Sequence, residues 1–292
     1  MEWVNALIQG ILLGGLYALL ATGLSLAFGV MRLVNLAHGD LIILAAYLAL
    51  VVTNATKMNP FLSLTVVVPL MMVLGYVLQR GLLNRALRST GVMPPLMVTF
   101  GLAIVIQNLL LEAFSADSQG LTAGPIETES ITLNDQISIG VLPLLTLIVA
   151  VAILVGLELM ISRTALGRAM RATADDPEAA SIVGIDHRHL YATAMAIALA
   201  TVAVAGVFVG VSTTFSPSDG SQGLIVAFEA VIIGGLGSLW GTLVGGVALG
   251  VAQAFGNQIS PAYQILAGHL LFLAVLFFRP TGLLARRTQR QV

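Results

Sequence analysis

The residues of this chain that could do chemistry lie mostly within long apolar runs. They are His38 and Asp40, Gln107 and Asn108, and Glu229. Polar and ionisable side chains are costly to place in a membrane, so they usually face the interior of a helix bundle. There they pair with one another, relay protons or contact a passing solute. These residue types therefore predict the chemistry of a transport pathway or a gate.

A catalytic or metal centre is not predicted. The histidines and carboxylates show no spacing typical of metal ligands, and no Ser/His/Asp set can be assembled. The chain has no cysteine, which excludes a thiolate nucleophile, a disulfide framework and a cysteine metal site. It also lacks the Gly-x-x-x-x-Gly-Lys-Ser/Thr motif that cradles nucleotide phosphates, and Lys57 is its only lysine. We therefore expect neither enzymatic activity nor a cofactor in this chain.

The elements that must position the polar residues are predicted to be membrane-spanning helices. Of the 292 residues, 58% are apolar and only 9% are charged, whereas soluble domains carry about 25% charged residues. This composition excludes a soluble enzyme, a disordered chain and a nucleic-acid-binding protein. The apolar runs match the thickness of a bilayer and lack the alternation of a membrane β-barrel. We predict one all-α polytopic domain over 1–292, with about eight membrane segments at 4–30, 36–54, 61–79, 94–114, 141–161, 190–214, 225–256 and 261–279.

Basic residues predict which side of the membrane each loop faces, because Lys and Arg concentrate in cytoplasmic loops. Twelve of the thirteen can share one side, and only Lys57 cannot. The twelve are Arg32, Arg80, Arg85, Arg88, Arg163, Arg168, Arg171, Arg188, Arg279, Arg286, Arg287 and Arg290. The loop 115–140 has no Lys or Arg and carries Asp117, Glu127, Glu129 and Asp135, so it is predicted to be external. The amino terminus is then outside and the carboxyl terminus cytoplasmic.

The run 225–256 is too long for one span, and glycines interrupt it at Gly234, Gly235 and Gly237. We predict two short helices that form a re-entrant hairpin, because this brings the basic tail to the cytoplasmic side. Broken helices are tolerated where they are buried in protein or line a cavity. The alternative is one long tilted span followed by an external tail.

Glycine pairs spaced four residues apart predict close helix packing. Such spacing lets two helix backbones approach each other. The pairs are Gly10 with Gly14, Gly206 with Gly210, Gly241 with Gly245, and Gly246 with Gly250.

The segment 162–189 is the longest predicted cytoplasmic connection. Asp175 and Asp176 precede Pro177, which is typical of a helix start, and Glu178 falls in the favoured first turn. The small residues Ala179, Ala180 and Ser181 follow, and Gly184 is placed to end the helix. A short helix with a small-residue face is therefore predicted, shaped to dock into a groove on another protein.

The sequence around this helix, Glu178-Ala179-Ala180 followed by Gly184-Ile185, resembles the EAA-type coupling loop of ABC importer permeases. The whole chain resembles the branched-chain amino-acid permeases of high-affinity uptake systems. The residues that carry this resemblance are Gly14-Gly15-Leu16-Tyr17-Ala18-Leu19, Asn35-Leu36-Ala37-His38-Gly39, Leu96 with Thr99-Phe100-Gly101 and Gln107-Asn108, Gly167-Arg168 with Arg171-Ala172, and Gly234-Gly235-Leu236-Gly237-Ser238 with Gly241 and Gly245.

The resemblance implies a permease subunit with a type II ABC importer-like bundle in the cytoplasmic (inner) membrane of a bacterium or archaeon. It implies as partners a second, similar permease, two ABC ATPases that bind ATP and Mg, and a periplasmic or extracellular substrate-binding protein. The ATPase-coupling residues would be Arg171, Asp175, Asp176, Glu178, Ala179, Ala180, Gly184 and Ile185. Urea, amides and aromatic acids remain alternative substrates to branched-chain amino acids.

The roles of the polar residues inside the runs remain open at this point. The turn formed by Asn35, His38 and Asp40 is either a gate near the cytoplasmic exit or a helix start capped by Asn35. Gln107 and Asn108 either line the pathway or bridge helices as amides. Glu229 either meets a substrate ammonium group or pairs with His269.

An ion-coupled secondary transporter is the main alternative function. It would use His38, Asp40 or Glu229 as ion sites and would transport without partners. That reading gives no reason for a helix at 177–184.

Overall fold

The computed structural model describes residues 2–87, 93–134 and 137–284. The chain folds into a helical bundle with one small hairpin, as the sequence predicts for an all-α membrane protein. The helices are α1 (Glu2–Met31), α2 (His38–Thr56), α3 (Pro60–Leu78), α4 (Asn84–Ala86), α5 (Met93–Phe114), α6 (Val141–Arg163), α7 (Ala165–Asp175), α8 (Pro177–Ile182), α9 (His187–Ser212), α10 (Gly220–Gly234), α11 (Leu239–Ile259) and α12 (Tyr263–Phe278). A π-helical segment, Gln79–Leu83, joins α3 to α4.

Seven helices of the described part are long and apolar enough to cross a bilayer: α1, α2, α3 with its continuation to Ala86, α5, α6, α9 and α11. Two further apolar helices, α10 and α12, are shorter. The predicted runs therefore all become helices, and the chain is a multi-pass membrane protein.

The centre of the bundle is the contact between α1 and α11. A Cβ on Gly14 would lie 2.4 Å from the Cα of Val247, and one on Gly250 would lie 2.4 Å from the carbonyl oxygen of Gly10. The backbones therefore touch, and the order of the contacts makes the two helices antiparallel. The predicted glycine pairs at 10/14 and 246/250 face each other, so this prediction is confirmed.

The chain turns back into the bundle after α1. Arg32 has a left-handed conformation with φ of 51°, and α2 begins beside the middle of α1, where the imidazole Nε2 of His38 lies 2.8 Å from the carbonyl oxygen of Leu20. Leu20 precedes the end of α1 by eleven residues, which is about 16 Å of helix. The turn from Asn35 to Asp40 therefore lies at the end of α2 that follows α1, as predicted, but it is inside the bundle and not at its surface.

The run 225–256 is broken as predicted, but it does not form two short helices. Gly235 and Gly237 have φ of 110° and 78°, which a residue with a side chain rarely adopts. The helix before the break, α10, has only 15 residues, whereas α11 has 21 and is long enough to span a membrane alone. The prediction of two short helices is wrong for α11, and a single long tilted span is also excluded.

The segment after α12 closes the break. The backbone N–H groups of Leu283 and Leu284 donate to the carbonyl oxygens of Ile233 and Gly234, at 2.8 and 2.9 Å. These carbonyls belong to the last turn of α10 and have no partner within their helix. The end of α12 and the break therefore lie on one side of the bundle.

That side, which we call the basic face, contains the end of α1, the break at 235–238, the connection 164–186 and the end of α12. Four of the thirteen basic residues, Arg88, Arg286, Arg287 and Arg290, lie outside the described residues. Of the other nine, all except Lys57 are on the basic face. The helix packing and the charge pattern therefore agree that α1 begins and α12 ends on opposite sides.

The opposite side, the acidic face, contains the loop 115–140. Strands β1 (Ser130–Asn134) and β2 (Ile137–Gly140) pair antiparallel there, after a 3₁₀ turn over Gly124–Glu127. Gln119 and Phe215 exchange backbone hydrogen bonds of 2.8 Å, which ties this loop to the end of α9. Asp135, one of the acidic residues used to orient the loop, lies outside the described residues.

The α1–α11 contact gives a direct test of the fold. We expect Gly14→Ala to destabilise the protein by about 1–3 kcal/mol, because the added methyl group meets the backbone of Val247 and cannot be accommodated without moving a helix. The measurement is the thermal unfolding midpoint of the purified protein in detergent. Gly156→Ala is the matched control, since a Cβ at Gly156 would have nothing within 4 Å. Equal midpoints for the two variants would contradict the packing.

Candidate functional site

The connection between α6 and α9 begins with a helix that the sequence analysis did not predict. Thr164 caps α7, since its hydroxyl accepts a 3.0 Å hydrogen bond from the N–H of Gly167. A Cβ on Gly167 would lie 2.3 Å from the carbonyl oxygen of Ile161, so α7 folds tightly onto the end of α6. Gly167, Met170 and Thr173 form the buried face of α7. This helix is therefore anchored to the bundle and carries the next helix, α8, outward.

Two of the predicted coupling residues lie on α7. The guanidinium Nη1 of Arg171 donates to the carbonyl oxygen of Ile161, which is one of the unpaired carbonyls at the end of α6. Asp175 is the last residue of α7 and is exposed. Its side chain is not part of the cap of α8, contrary to the prediction that both aspartates start that helix.

The cap of α8 is Asp176 alone. Its Oδ1 atom accepts hydrogen bonds of 3.0 Å from the N–H groups of Glu178 and Ala179. Pro177 occupies the first helical position, where its missing N–H costs nothing. Six residues, Pro177–Ile182, form the helix, and Ala180 is its buried residue. The predicted short helix is confirmed, and of the two predicted aspartates only Asp176 caps it.

The end of α8 is a Schellman motif, in which a residue with positive φ closes the last turn. Gly184 has φ of 87°, its N–H bonds to the carbonyl oxygen of Ser181 at 3.1 Å, and the N–H of Ile185 bonds to that of Ala180 at 3.0 Å. Ile182 and Val183 are 87% and 75% exposed. The tip of α8 therefore presents two aliphatic side chains outside the bundle, on a rigidly closed turn.

Asp186 caps the start of α9 in the same way. Its Oδ1 accepts from the N–H groups of Arg188 and His189 at 3.0 and 3.3 Å. These bonds, first that of His189, lower the pKa of Asp186 below its ordinary value, and the charges of His187 and Arg80 contribute as well. Because the folded-state pKa is lowered, the charged cap stabilises the fold near neutral pH, and its contribution is lost as the pH falls through that pKa.

A second anchor of the connection was missed by the sequence analysis. The hydroxyl of Tyr76 lies 2.9 Å from Nδ1 of His189 and accepts a 2.7 Å bond from Arg80. The side chain of Gln79 donates to Asn84, which donates in turn to the carbonyl oxygen of Arg188. The π-helical segment brings Gln79 and Asn84 together, although a five-residue spacing does not align them in an α-helix. The signal for this anchor in the sequence was a pair of amide side chains, now seen to be buried, beside arginines at the end of an apolar run.

The turn before α2 is held by local and long-range bonds. Asn35 does not cap α2, because the N-cap position is Ala37. The side chain of Asn35 instead accepts a 3.1 Å bond from the N–H of Ala37. His38 is buried and bonded to Leu20 in α1. Asp40 lies against the start of α10, where a Cβ on Gly220 would be 2.3 Å from its Oδ1 atom. A carboxylate is favoured at the amino-terminal end of a helix, so these residues join α2 to α1 and α10.

Gln107 and Asn108 do not join this group. Asn108 is exposed on α5, and its amide donates to the carbonyl oxygen of Ile104 in the same helix at 2.8 Å. Gln107 is half-buried. Within the described chain Asn108 therefore bridges no helices, and α5 leaves it on the outer surface of the bundle.

Glu229 pairs with His269, which is one of the two alternatives left open by the sequence. Its Oε1 atom is hydrogen-bonded to Nδ1 of His269 and joins the half-length helix α10 to α12. Its Oε2 atom is buried and has no hydrogen-bond partner among the described residues. Nearby, the hydroxyl of Tyr17 donates a 2.5 Å bond to the side chain of Gln253.

The polar residues of the bundle therefore form separate contacts and not one site. They fix the half-length helix α10 from two sides, through Asp40 and through Glu229. No group of three metal-binding side chains occurs in the part of the chain that the structure describes. The arrangement suits mechanical coupling between helices.

A family model described as the permease component of branched-chain amino acid transport systems matches residues 6–277. The high-affinity branched-chain amino acid transport system permease protein BraD of Pseudomonas aeruginosa is 32% identical, over 98% of this chain and 96% of BraD. LivH of Escherichia coli K12, described in the same words, is 27% identical with the same coverage. A probable LivH of Methanocaldococcus jannaschii is 27% identical over 94% of this chain and 90% of that protein.

Among solved structures, the chain is similar to PsaBC from Streptococcus pneumoniae in complex with Fab. The identity is 15%, the TM-score is 0.48, and the match covers 95% of this chain and 92% of that one.

The cap of α8 gives a local prediction. Asp176→Ala should destabilise the first turn of α8 by about 1 kcal/mol, because the N–H groups of Glu178 and Ala179 lose their acceptor. Amide hydrogen exchange at these two residues should accelerate about fivefold. Asp175→Ala is the control, since that neighbouring carboxylate caps nothing. The same acceleration in both variants would show that the cap bonds do not hold the turn.

Proposed function

The chain belongs to the family of permease components of branched-chain amino acid transport systems, and we propose that it moves branched-chain amino acids inward across the cytoplasmic membrane as one subunit of an ATP-driven importer. Its relatives BraD and LivH carry that substrate class in their names. Urea, amides and aromatic acids are not favoured by these relatives. Transport proceeds by alternating access, in which the pathway opens to one side at a time.

The observation that carries the proposal is the projecting helix α8. A helix of six residues is too short to be stable by itself, yet α8 is capped at both ends and attached to α7 and α9. It presents Ile182 and Val183 to the aqueous side. Two adjacent aliphatic side chains exposed on a rigid turn offer a small apolar surface for another protein to cover. That protein is proposed to be an ATPase subunit, and residues 162–189 form the coupling loop.

The proposed assembly contains a second, related permease, two ABC ATPases and an external substrate-binding protein. ATP and Mg bind to the ATPases, and hydrolysis occurs there. Closure of the two ATPases displaces α8, and the displacement passes through α7 to α1 and α6, on which α7 packs. A gradient-driven secondary transporter would require no such projecting helix.

The substrate pathway is proposed to bind its cargo weakly. The residues proposed for the pathway and gate are Asn35, His38, Asp40, Gln107, Asn108 and Glu229. Asp40 contacts the start of α10, and Glu229 joins α10 to α12. These contacts favour a gating role for the half-length helix α10. A weakly polar lining would let an aliphatic amino acid pass without being trapped.

The orientation is proposed from the charges. The basic face is cytoplasmic by the positive-inside rule, so the amino terminus is outside, the loop 115–140 is external and the carboxyl terminus is cytoplasmic. The whole chain, 1–292, forms one membrane domain.

The coupling role predicts a separation of folding from transport. Glu178→Ala and Gly184→Ala should each reduce amino-acid uptake at least tenfold while the chain stays in the membrane at its normal level. No atom within 4 Å blocks a side chain at Gly184, but its left-handed backbone disfavours one by about 1–2 kcal/mol. Uptake in cells and co-purification of the subunits are the measurements.

Glu129→Ala provides the control for this experiment, because Glu129 is an exposed carboxylate on the acidic face. It should leave uptake unchanged. Purification through a tag on the wild-type chain should recover two ATPases and a second permease. Normal uptake by both loop variants, or recovery of the chain alone with gradient-driven uptake, would overturn the coupling assignment.

The absence of cysteine makes the orientation testable without background labelling. In intact cells, a membrane-impermeant maleimide should label a Lys57→Cys variant and should not label a Thr288→Cys variant. In inside-out vesicles the pattern should reverse, because the proposed orientation puts the two positions on opposite sides of the membrane. Labelling of Thr288→Cys from outside would show that the basic tail is external.

A further inference from the structure

A cavity of about 640 Å³ opens on the basic face, between α7, the end of α1 and the break at 235–238. Sites for small molecules typically have volumes of about 300–1,000 Å³ and are mostly apolar, with a few convergent polar groups. The walls of this cavity are formed largely by apolar side chains, among them Leu26, Phe28, Ile161, Met170 and Leu236. Its volume and its mostly apolar lining fall in the range of such sites.

Three charged side chains line the same cavity. Arg32 follows α1, and Arg171 and Asp175 lie one turn apart on α7. Among the described residues, no ion pair joins any of the three, Asp175 makes no side-chain hydrogen bond, and the guanidinium of Arg32 donates none. Arg171 uses Nη1 on Ile161 and retains further donors. The cavity is thus lined by both signs of charge, on side chains that are exposed or half-buried.

A fourth polar group supports a ligand at this position. Ser25 also lines the cavity, and its residue is completely buried. Its hydroxyl oxygen has no hydrogen-bond partner in the described chain. A buried hydroxyl is normally hydrogen-bonded, so a polar atom of a ligand would satisfy it.

We propose that this cavity is a binding site for the zwitterion of an aliphatic amino acid. The carboxylate would bind Arg32 and Arg171, the ammonium group would bind Asp175, and the side chain would lie against the apolar wall. The two charges and the aliphatic side chain of the ligand would then each have a partner in the cavity. A simple anion would leave Asp175 without a partner, and a hydrocarbon would leave all three charged side chains without one.

The choice of an amino acid as the ligand rests on the proposed function, and the site adds a binding position to that function. The site is on the face where the imported amino acid is released, and two of its residues belong to α7, which leads directly into the coupling helix. A bound amino acid would connect α7 to the end of α1 and hold them together. Accumulated product would therefore restrain the helix that transmits the ATPase movement.

The test uses the purified full-length chain with its co-purifying subunits and an Ala174→Cys variant, because Ala174 lines the cavity and the chain has no other cysteine. L-leucine should slow maleimide labelling of this variant in a saturable way, about tenfold at ten times its Kd. An Ile182→Cys variant, exposed and outside the cavity, is the control whose labelling rate should not change. Gel filtration checks that each variant is folded.

Three other probes identify the ligand class. 4-Methylpentanoate lacks the ammonium group, 3-methylbutylamine lacks the carboxylate, and inorganic phosphate stands for a free anion or a lipid headgroup. Each should protect Ala174→Cys at least tenfold less effectively than leucine. Adding Arg32→Gln should abolish protection by leucine, and Arg32→Lys should restore part of it.

The proposal is overturned if leucine gives no saturable protection, if it protects Ile182→Cys equally, or if phosphate protects as well as leucine. The labelling requires neither ATP nor the substrate-binding protein. Loss of protection in a chain that still imports leucine would therefore reject only this site. Protection in a chain whose Glu178 and Gly184 variants import normally would reject only the coupling assignment.

Discussion

The direct contact between the backbones of α1 and α11 is the constraint on which the other features depend. Helices in a membrane gain little from burying apolar side chains, because lipid is equally apolar, so close packing has to supply the association energy. Gly10 and Gly14 on α1 face Gly246 and Gly250 on α11. The opposite glycines of α11, Gly241 and Gly245, admit α10. Helix α11 thus packs its backbone directly against both α1 and the half-length helix α10. This packing positions the break at 235–238 against the end of α1.

The same arrangement explains why the polar residues are dispersed. A half-length helix leaves backbone groups unpaired within the bundle, and these must be satisfied by protein. Asp40 lies at the beginning of α10, the segment after α12 bonds to its end, and Glu229 attaches its middle to α12. Each polar contact therefore serves one part of α10. Asp176 and Asp186 in the connection 164–186 serve a different need, because they cap the short helix α8 and the start of α9.

The sequence predicted the features that depend on local chemistry. The apolar runs became helices, the cap at Asp176 and the Gly184 turn formed as their residue types require, and the glycine spacing identified the α1–α11 contact. The predictions failed where distant residues decide the structure. The depth of α2 in the bundle involves the contact of His38 with Leu20, and Gln79 and Asn84 meet because a π-helical turn shifts their register. Whether Glu229 pairs with His269 depends on the packing of two helices, which no local pattern contains.

The bonds from Leu283 and Leu284 to the end of α10 also have a consequence for biogenesis. During synthesis α10 is made before the segment that follows α12, so the carbonyl groups of Ile233 and Gly234 then lack their final donors. They are satisfied only when the segment behind α12 has left the ribosome and folded back against the break. Completion of the half-length helix α10 is therefore one of the last steps of assembly. A chain that ends before this segment leaves the two carbonyl groups without donors, and this distinguishes an incomplete product from a finished one.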